Sequence, residues 1–119
     1  MATAYDDVPY ANLPFSQTRP AVLATVATLH GLDAPDPRAA RVLELGCGAG
    51  ANLAGIAAAH PGVSAVGVDL APTAIAVARA TSAAAELANV RFEVGDVSAL
   101  TGGQLGEFDY VIVHGLYAW

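Results

Sequence analysis

The stretch that decides the fold is RVLELGCGAG, residues 41–50. A short apolar run ends at Glu44, and glycine then occupies the alternate positions Gly46, Gly48 and Gly50. A buried strand that stops here and turns sharply toward a helix gives this pattern. Because glycine loses more conformational freedom on folding than any other residue, three in one turn indicate bare backbone that a nucleotide-like ligand approaches. The stretch predicts a ligand-binding turn beyond the carboxyl end of a strand.

Two more acids each come just after an apolar run. Asp69 follows the run in SAVGVDLAP, and Asp96 follows the run in VRFEVGDV. Ligands of open α/β sheets bind in the crevice outside the carboxyl ends of the strands. We therefore predict a cofactor cleft lined by the glycine turn and these acids.

Apolar runs alternate with helical patterns on both sides of the first motif. Strands without polar alternation, separated by helices, predict a parallel sheet with right-handed crossovers that is covered on both faces. A short helical or irregular stretch covers residues 97–105. The predicted strands are Val42–Leu45, Ala65–Val68, Val90–Val94 and Phe108–Val113, and the predicted helices are Ala51–Ala59 and Pro72 to about Leu87.

A further helix is predicted over residues 18–30, before the alternation begins. Thr18 is the expected cap, Pro20 suits the first turn, and Gly31 is the expected stop. The apolar residues of this helix that share a face are Val22, Val26 and Leu29.

Composition restricts the possible partners. The chain has 119 residues, a net charge of −6 and five scattered arginines without any lysine. Nucleic acids and anionic membranes need a basic face, so neither is an expected partner. The single cysteine allows no intrachain disulfide, and the acidic N-terminus lacks the apolar core of a signal peptide. These features fit a cytoplasmic protein, whose oligomeric state stays open.

The glycine motif alone leaves two ligands open. It satisfies both G-x-G-x-G and the dinucleotide pattern G-x-G-x-x-G/A, and Asp69 lies 23 positions after Gly46, where an acid accepts hydrogen bonds from ribose hydroxyls in either case. Glu44 inside the first strand suits a ligand with an ammonium and a sulfonium better than a pyrophosphate. Asp96 is placed to accept a hydrogen bond from an adenine amino group, with Val97 against the ring.

The ordered set VLELGCGAG, VGVDLAP, FEVGDV and FDYVIVHG resembles class I S-adenosylmethionine-dependent methyltransferases over roughly residues 38–115. The resemblance implies a Rossmann-like doubly wound parallel sheet, here partial, with about four strands in the order 3-2-1-4 and an N-terminal helix. It divides the chain into an arm and helix, residues 1–37, and a cofactor-binding domain, residues 38–119. The domain stops just after the fourth strand, so we expect more chain to follow.

The same resemblance implies a set of cofactor-binding residues. The first motif would touch the methionine part of S-adenosylmethionine, Asp69 the ribose, and Leu70, Asp96 and Val97 the adenine. His114 would line the methyl side. The full set is Glu44, Gly46, Cys47, Gly48, Gly50, Asp69, Leu70, Asp96, Val97 and His114. No metal ligand is implied.

The N-terminal segment YDDVPYANLPFSQTRP resembles the segment that precedes this domain in bacterial methyltransferases with a downstream regulatory domain. By that resemblance Tyr10, Pro14, Phe15 and Thr18 would fold over the cofactor as a lid. The alternative is a surface arm that packs on the core.

We predict an S-adenosylmethionine-dependent methyltransferase that acts on a small molecule or a protein. The catalytic residue is unassigned; His114 is a candidate general base, or a residue that shapes the pocket. Cys47, between two glycines, is interpreted as a small filler. The alternatives are an NAD(P)-dependent oxidoreductase and a truncated, non-catalytic cofactor-binding domain.

Overall fold

The centre of the molecule is a four-stranded parallel sheet, and the computed structural model describes residues 13–114. Its spatial order is β3-β2-β1-β4, as the resemblance implied. The chain therefore reverses its direction of travel across the sheet between β1 and β4, which makes this the topological switch point. The strands are β1 Arg41–Leu45, β2 Ser64–Asp69, β3 Val90–Val94 and β4 Tyr110–Val113.

Within residues 13–114, three α-helices flank the strands. The second helix and β3 have the predicted bounds, whereas the third helix ends three residues before the predicted Leu87 and β4 begins two residues after the predicted Phe108. The stretch after β3 contains only a single 3-10 turn, Val97–Ala99. The helices are α1 Pro20–Leu29, α2 Ala51–Ala59 and α3 Pro72–Ala84.

The start of α1 differs from the prediction, while its end does not. Thr18 does not cap the helix, because it lies in a separate 3-10 turn and its hydroxyl donates to the Phe15 carbonyl oxygen at 2.8 Å. Pro20 opens α1 as predicted. Gly31 follows the helix with a φ of +78°, the left-handed conformation that ends many helices and suits glycine.

The residues Val22, Val26 and Leu29 do share one face of α1, but this face is exposed. Leu29 is 81% exposed. Leu23 and Ala24, on the opposite side of the helix, pack against the core instead. The apolar spacing of an alanine-rich helix is therefore compatible with either orientation, and packing against the sheet decides which side faces inward.

Both faces of the central strands are buried. One face packs against α2 and α3, with Leu53, Ile56 and Ile75 almost fully buried. The other face is covered by the segment between β3 and β4. Side chains in contact there are Leu43, Val66 and Val68 from the strands, with Leu100, Leu105 and Phe108 from the segment. The absence of alternating polarity in β1 and β2 is explained by this double coverage.

None of the helices within residues 13–114 is long and apolar enough to cross a membrane.

Candidate functional site

The glycine turn joins β1 to α2 at the carboxyl edge of the sheet. Gly46, Gly48 and Gly50 have φ values of +73°, +57° and +83°, a region that side chains with a Cβ rarely adopt. The backbone N–H groups of Gly46 and Cys47 both donate to the Val68 carbonyl oxygen, at 2.8 and 3.1 Å. The turn is thus fastened to the end of β2, and its left-handed residues explain why the sequence needs several glycines.

Gly50 has a packing role that the sequence pattern does not reveal. A Cβ at this position would lie 2.7 Å from Phe92 Cζ and 2.9 Å from Ala78 Cβ. The packing of α2 and α3 against β3 therefore requires a glycine at position 50, whether or not a ligand contacts the turn. Contact of Gly50 with the cofactor stays a prediction.

Cys47 points into the core and is 3% exposed. Burial, with smaller contributions from the charges of Asp69 and Glu44, raises the pKa of its thiol far above the usual range. A thiol held protonated and shielded from solvent is a poor nucleophile. The geometry therefore agrees with the interpretation of Cys47 as a small filler.

Asp69 ties the glycine turn to the beginning of α3. Its Oδ2 accepts the Gly48 N–H at 2.8 Å, and its Oδ1 accepts the Ala71 N–H at 2.9 Å. A carboxylate has about four acceptor positions, so two backbone donors leave capacity for ribose hydroxyls. The neighbouring Leu70 is 44% exposed, an accessible apolar surface beside the acid.

Glu44 is a carboxylate enclosed by the core. It is 4% exposed, its Oε2 accepts from Asn52 Nδ2 at 2.8 Å, and its Oε1 has no hydrogen-bond partner among the described residues. Burial raises the pKa of Glu44 to about 7; the Asn52 hydrogen bond opposes the rise, and the charge of Asp69 adds to it. An unsatisfied buried acceptor costs about 1–3 kcal/mol, and more when it is charged. The site therefore favours a ligand that brings a donor, especially a cationic one, to Oε1.

Asn52 is a site residue that the sequence motifs do not identify. It is 6% exposed, at the second position of α2. Besides Glu44, its Nδ2 donates to Thr18 Oγ1 at 2.9 Å, and its Oδ1 accepts the Phe15 N–H at 2.8 Å. The available signal is an amide in the otherwise apolar helix ANLAGIAAA. The sequence does not show that Thr18 and Phe15, 34 and 37 positions away, are its partners.

Residues 15–18, which we call the strap, lie at the same edge of the sheet. The Phe15 ring stacks on the His114 imidazole with centroids 3.9 Å apart, and Gln17 Nε2 lies 3.4 Å from His114 Nε2. Of the predicted lid residues, Phe15 and Thr18 thus contact residues of the site. Pro14 is exposed, and Tyr10 lies outside the described residues. The general-base role of His114 stays a prediction.

Asp96 lies just beyond β3, next to the strand that carries Asp69. The Gly95 N–H donates to the Asp69 carbonyl oxygen at 2.9 Å, which joins the ends of β2 and β3. Asp96 Oδ1 accepts from the hydroxyl and the N–H of Ser98, at 2.6 and 2.9 Å. These bonds lower the pKa of Asp96, so it is ionised at neutral pH. Val97 beside it is half-buried.

The structure therefore brings the three acids to one edge of three adjacent strands. Glu44 lies in β1, Asp69 ends β2, and Asp96 follows β3. Left-handed backbone, a buried acceptor without a donor and two further carboxylates can hold a ligand that carries both a cationic group and nucleoside hydroxyls. Among residues 13–114, no group of three His, Cys, Asp or Glu side chains is arranged to hold a metal ion.

Comparison with known proteins decides between the ligands left open by the glycine motif. A family model described as a methyltransferase domain matches residues 42–119. The chain belongs to the methyltransferase domain family. This membership decides against the oxidoreductase alternative and agrees with S-adenosylmethionine as the predicted cofactor.

Relatives of this methyltransferase domain match almost the whole chain. An uncharacterised protein of Rickettsia prowazekii is 39% identical over 116 residues, which cover 98% of this chain and 46% of that protein. The structure of PKMT2 from Rickettsia typhi in complex with AdoHcy has a TM-score of 0.87 and 38% identity over 93% of this chain and 22% of that one.

A more distant solved structure agrees with this fold. The S-adenosylmethionine-dependent methyltransferase of Thiobacillus denitrificans, in complex with S-adenosyl-L-homocysteine, has a TM-score of 0.66 at 25% identity, covering 98% of this chain and 46% of that one. The chain thus spans less than half the length of each of these three proteins. The predicted fold class, family and cofactor are confirmed, whereas methyl transfer by the whole protein and the individual cofactor contacts stay predictions.

Proposed function

We propose that the protein transfers a methyl group from S-adenosylmethionine to a small-molecule or protein acceptor. The observation that carries the proposal is the buried Glu44 Oε1, which has no donor among the described residues and lies in the strand that leads into the glycine turn. When bound, the cofactor supplies a methyl group made electrophilic by its sulfonium. The residues of this chain have to hold it, orient it and keep water away.

The charge pattern of the site suits the parts of that cofactor. Glu44, with the turn at Gly46 and Gly48, would hold the end that carries the ammonium group. Asp69, already oriented by two backbone donors, would accept the ribose hydroxyls. The adenine would lie between the exposed Leu70 and the pair Asp96 and Val97.

The strap and His114 would close the methyl side of the site. Phe15 covers the His114 ring, so this pair can exclude water near the reacting group. His114 would act as a general base only for an acceptor that holds its proton tightly, and for other acceptors it would shape the pocket. Residues 1–37 would thus serve as an arm to the cofactor-binding domain, residues 38–119.

Two sequence features support further parts of this proposal. The net charge of −6 without lysine disfavours nucleic-acid acceptors. The single cysteine suits a reducing compartment, which supports a cytoplasmic location.

Calorimetric titration tests the cofactor assignment directly. We expect saturable heat with S-adenosylhomocysteine and none with NAD. Absence of saturation up to about 1 mM, where the binding free energy is only about −4 kcal/mol, would refute it.

Methyl transfer is tested separately. The protein is incubated with S-adenosylmethionine carrying a labelled methyl group and with panels of small molecules and proteins. Label in one panel identifies the acceptor class. Binding without any transfer would instead favour the non-catalytic alternative.

A further inference from the structure

We propose that Asn52 is a positioning residue that fastens the strap at the carboxyl edge of the sheet and holds the Glu44 carboxylate for the cationic end of the cofactor. The part concerning the cofactor rests on the proposed function, whereas the part concerning the strap does not. Both parts follow from one buried amide that contacts both the strap and the Glu44 carboxylate.

The hydrogen bonds around Asn52 allow only one orientation of its amide. The Phe15 N–H can only donate, so the atom facing it at 2.8 Å has to be the amide oxygen. The amide nitrogen then faces Glu44 Oε2 and Thr18 Oγ1. Thr18 uses its own proton on the Phe15 carbonyl oxygen, so its lone pairs are available to accept from Asn52. The donor and acceptor roles in these four hydrogen bonds are thus mutually consistent.

The strap has a second attachment on the far side of the switch point. Asn52 holds it at the start of α2, and His114, directly after β4, stacks on Phe15. Phe15 is therefore held between the start of α2 and the residue after β4, and Asn52 also contacts the Glu44 carboxylate in β1. An amide that holds both strap and carboxylate therefore links the position of the strap to the geometry of the acid.

Asn52 also controls the charge of Glu44. The charged group that acts on Glu44 is Asp69 at the end of β2, which disfavours a second negative charge. The Cys47 thiol in the glycine turn stays protonated and is therefore neutral. The contacts from α2 and the strap are neutral: Asn52, Thr18 and Phe15. The Asn52 hydrogen bond opposes the effect of burial on the pKa of Glu44, so its loss would keep the carboxyl protonated to higher pH.

The test compares variants that separate the two tasks of Asn52. Asn52→Ala removes all three of its hydrogen bonds. Asn52→Asp keeps an oxygen for the Phe15 N–H but puts a negative charge beside Glu44. Thr18→Val loosens the strap and leaves the bond between Asn52 and Glu44 in place. The matched controls are Asn89→Ala, which loses bonds to the carbonyls of Ala57 and His60, and Thr25→Val, whose exposed hydroxyl bonds only within α1.

Hydrogen exchange of the Phe15 amide, measured on the ligand-free full chain, reports the fastening. We expect about tenfold faster exchange in Asn52→Ala, the factor expected for one lost hydrogen bond, and a smaller change in Asn52→Asp. Thr18→Val should also speed exchange, and the two controls should leave it unchanged. Unaltered exchange in Asn52→Ala would overturn the fastening.

The pH dependence of S-adenosylhomocysteine binding, followed by calorimetry from about pH 6 to 9, reports the hold on Glu44. We expect the midpoint of the affinity profile to move up by about one pH unit in Asn52→Ala and further in Asn52→Asp. A merely structural defect, as in Asn89→Ala, would not move it, and Thr18→Val should keep the wild-type midpoint.

The possible failures are distinguishable. A wild-type midpoint in both Asn52 variants, with the wild-type protein binding normally, would overturn the role toward Glu44. If the wild-type protein itself binds no S-adenosylhomocysteine, the proposed function and the cofactor part fall together, while the exchange data still decide the fastening. Should Asn52→Ala fail to fold, the nearly isosteric Asn52→Asp and Thr18→Val carry both measurements.

Discussion

Substitution of Gly50 by alanine should destabilise the protein for two separable reasons. A residue with a Cβ is strained at the φ of +83° found here, which costs about 1–2 kcal/mol. The added carbon would also lie 2.7 Å from Phe92 Cζ and 2.9 Å from Ala78 Cβ, and such overpacking costs about 1–3 kcal/mol. The sum is a loss of roughly 2–5 kcal/mol from the free energy of unfolding.

Two other glycines isolate the two contributions. Gly31 has nearly the same φ, +78°, but a Cβ there would meet no atom of the described chain within 4 Å, so Gly31→Ala measures backbone strain alone. At Gly67 the φ is not in the strained region, but a Cβ would lie 2.7 Å from Phe92 Cδ1 and 2.9 Å from Cys47 Sγ. Gly67→Ala therefore measures overpacking alone.

Urea denaturation of the three variants gives the free energies of unfolding, provided that the transitions are two-state. We expect the loss in Gly50→Ala to approach the sum of the losses in Gly31→Ala and Gly67→Ala. Phe92→Leu removes the ring atoms nearest to the added carbon. In a double-mutant cycle it should therefore reduce the loss of unfolding free energy caused by Gly50→Ala. Equal losses in Gly31→Ala and Gly50→Ala would refute the packing role of Gly50.

Three further predictions concern the site. The pKa of Glu44 is about 7 in the folded protein and 4.5 in the unfolded chain, so the unfolded chain loses this proton at lower pH. The free energy of unfolding should therefore fall by about 3 kcal/mol as the pH rises from below 4.5 to above 7. Urea denaturation at a series of pH values should show this decline in the wild-type protein and not in Glu44→Gln. Asp69→Ala should weaken S-adenosylhomocysteine binding about tenfold or more in calorimetry, because it removes the acceptor and leaves the Gly48 N–H without its partner. The control Asp36→Ala, at an exposed position, should bind normally. Equal affinities of Asp69→Ala and the wild-type protein would contradict the assignment. Cys47 should react with a disulfide reagent only when urea unfolds the protein, because its thiol is buried and protonated; rapid absorbance change in native buffer would show that the turn opens.

The strands could be derived from the sequence because their signals are local, whereas their order in the sheet was implied by the resemblance to methyltransferases. The glycines after β1, the proline that opens α3 and the short apolar runs mark the ends of elements, and α2 and β3 have the predicted bounds. Because the carboxyl ends of parallel strands lie at one edge of the sheet, the strand assignments also predicted that Glu44, Asp69 and Asp96 lie near one another. In each case the physical cause lies within a few residues of the signal.

The features that could not be derived depend on distant contacts. Thr18 has the chemistry of a helix cap, but its hydroxyl accepts from Asn52, which is 34 positions away. Gly50 looks like its two neighbours in the motif, yet its environment is Phe92 and Ala78 from other elements. Which side of α1 faces the core was equally undetermined, since apolar residues occupy both sides.

The two backbone hydrogen bonds accepted by Asp69 affect both ligand binding and the evolution of the glycine turn. The Asp69 side chain holds the glycine turn in place and is also the proposed acceptor for the ribose hydroxyls. In that assignment the turn is already formed before the nucleoside binds, so little conformational entropy would be lost on binding. Because one side chain has both roles, few substitutions of Asp69 are expected to be tolerated. Any replacement that retuned affinity at this position would also reshape the loop, and selection on either property would act on both.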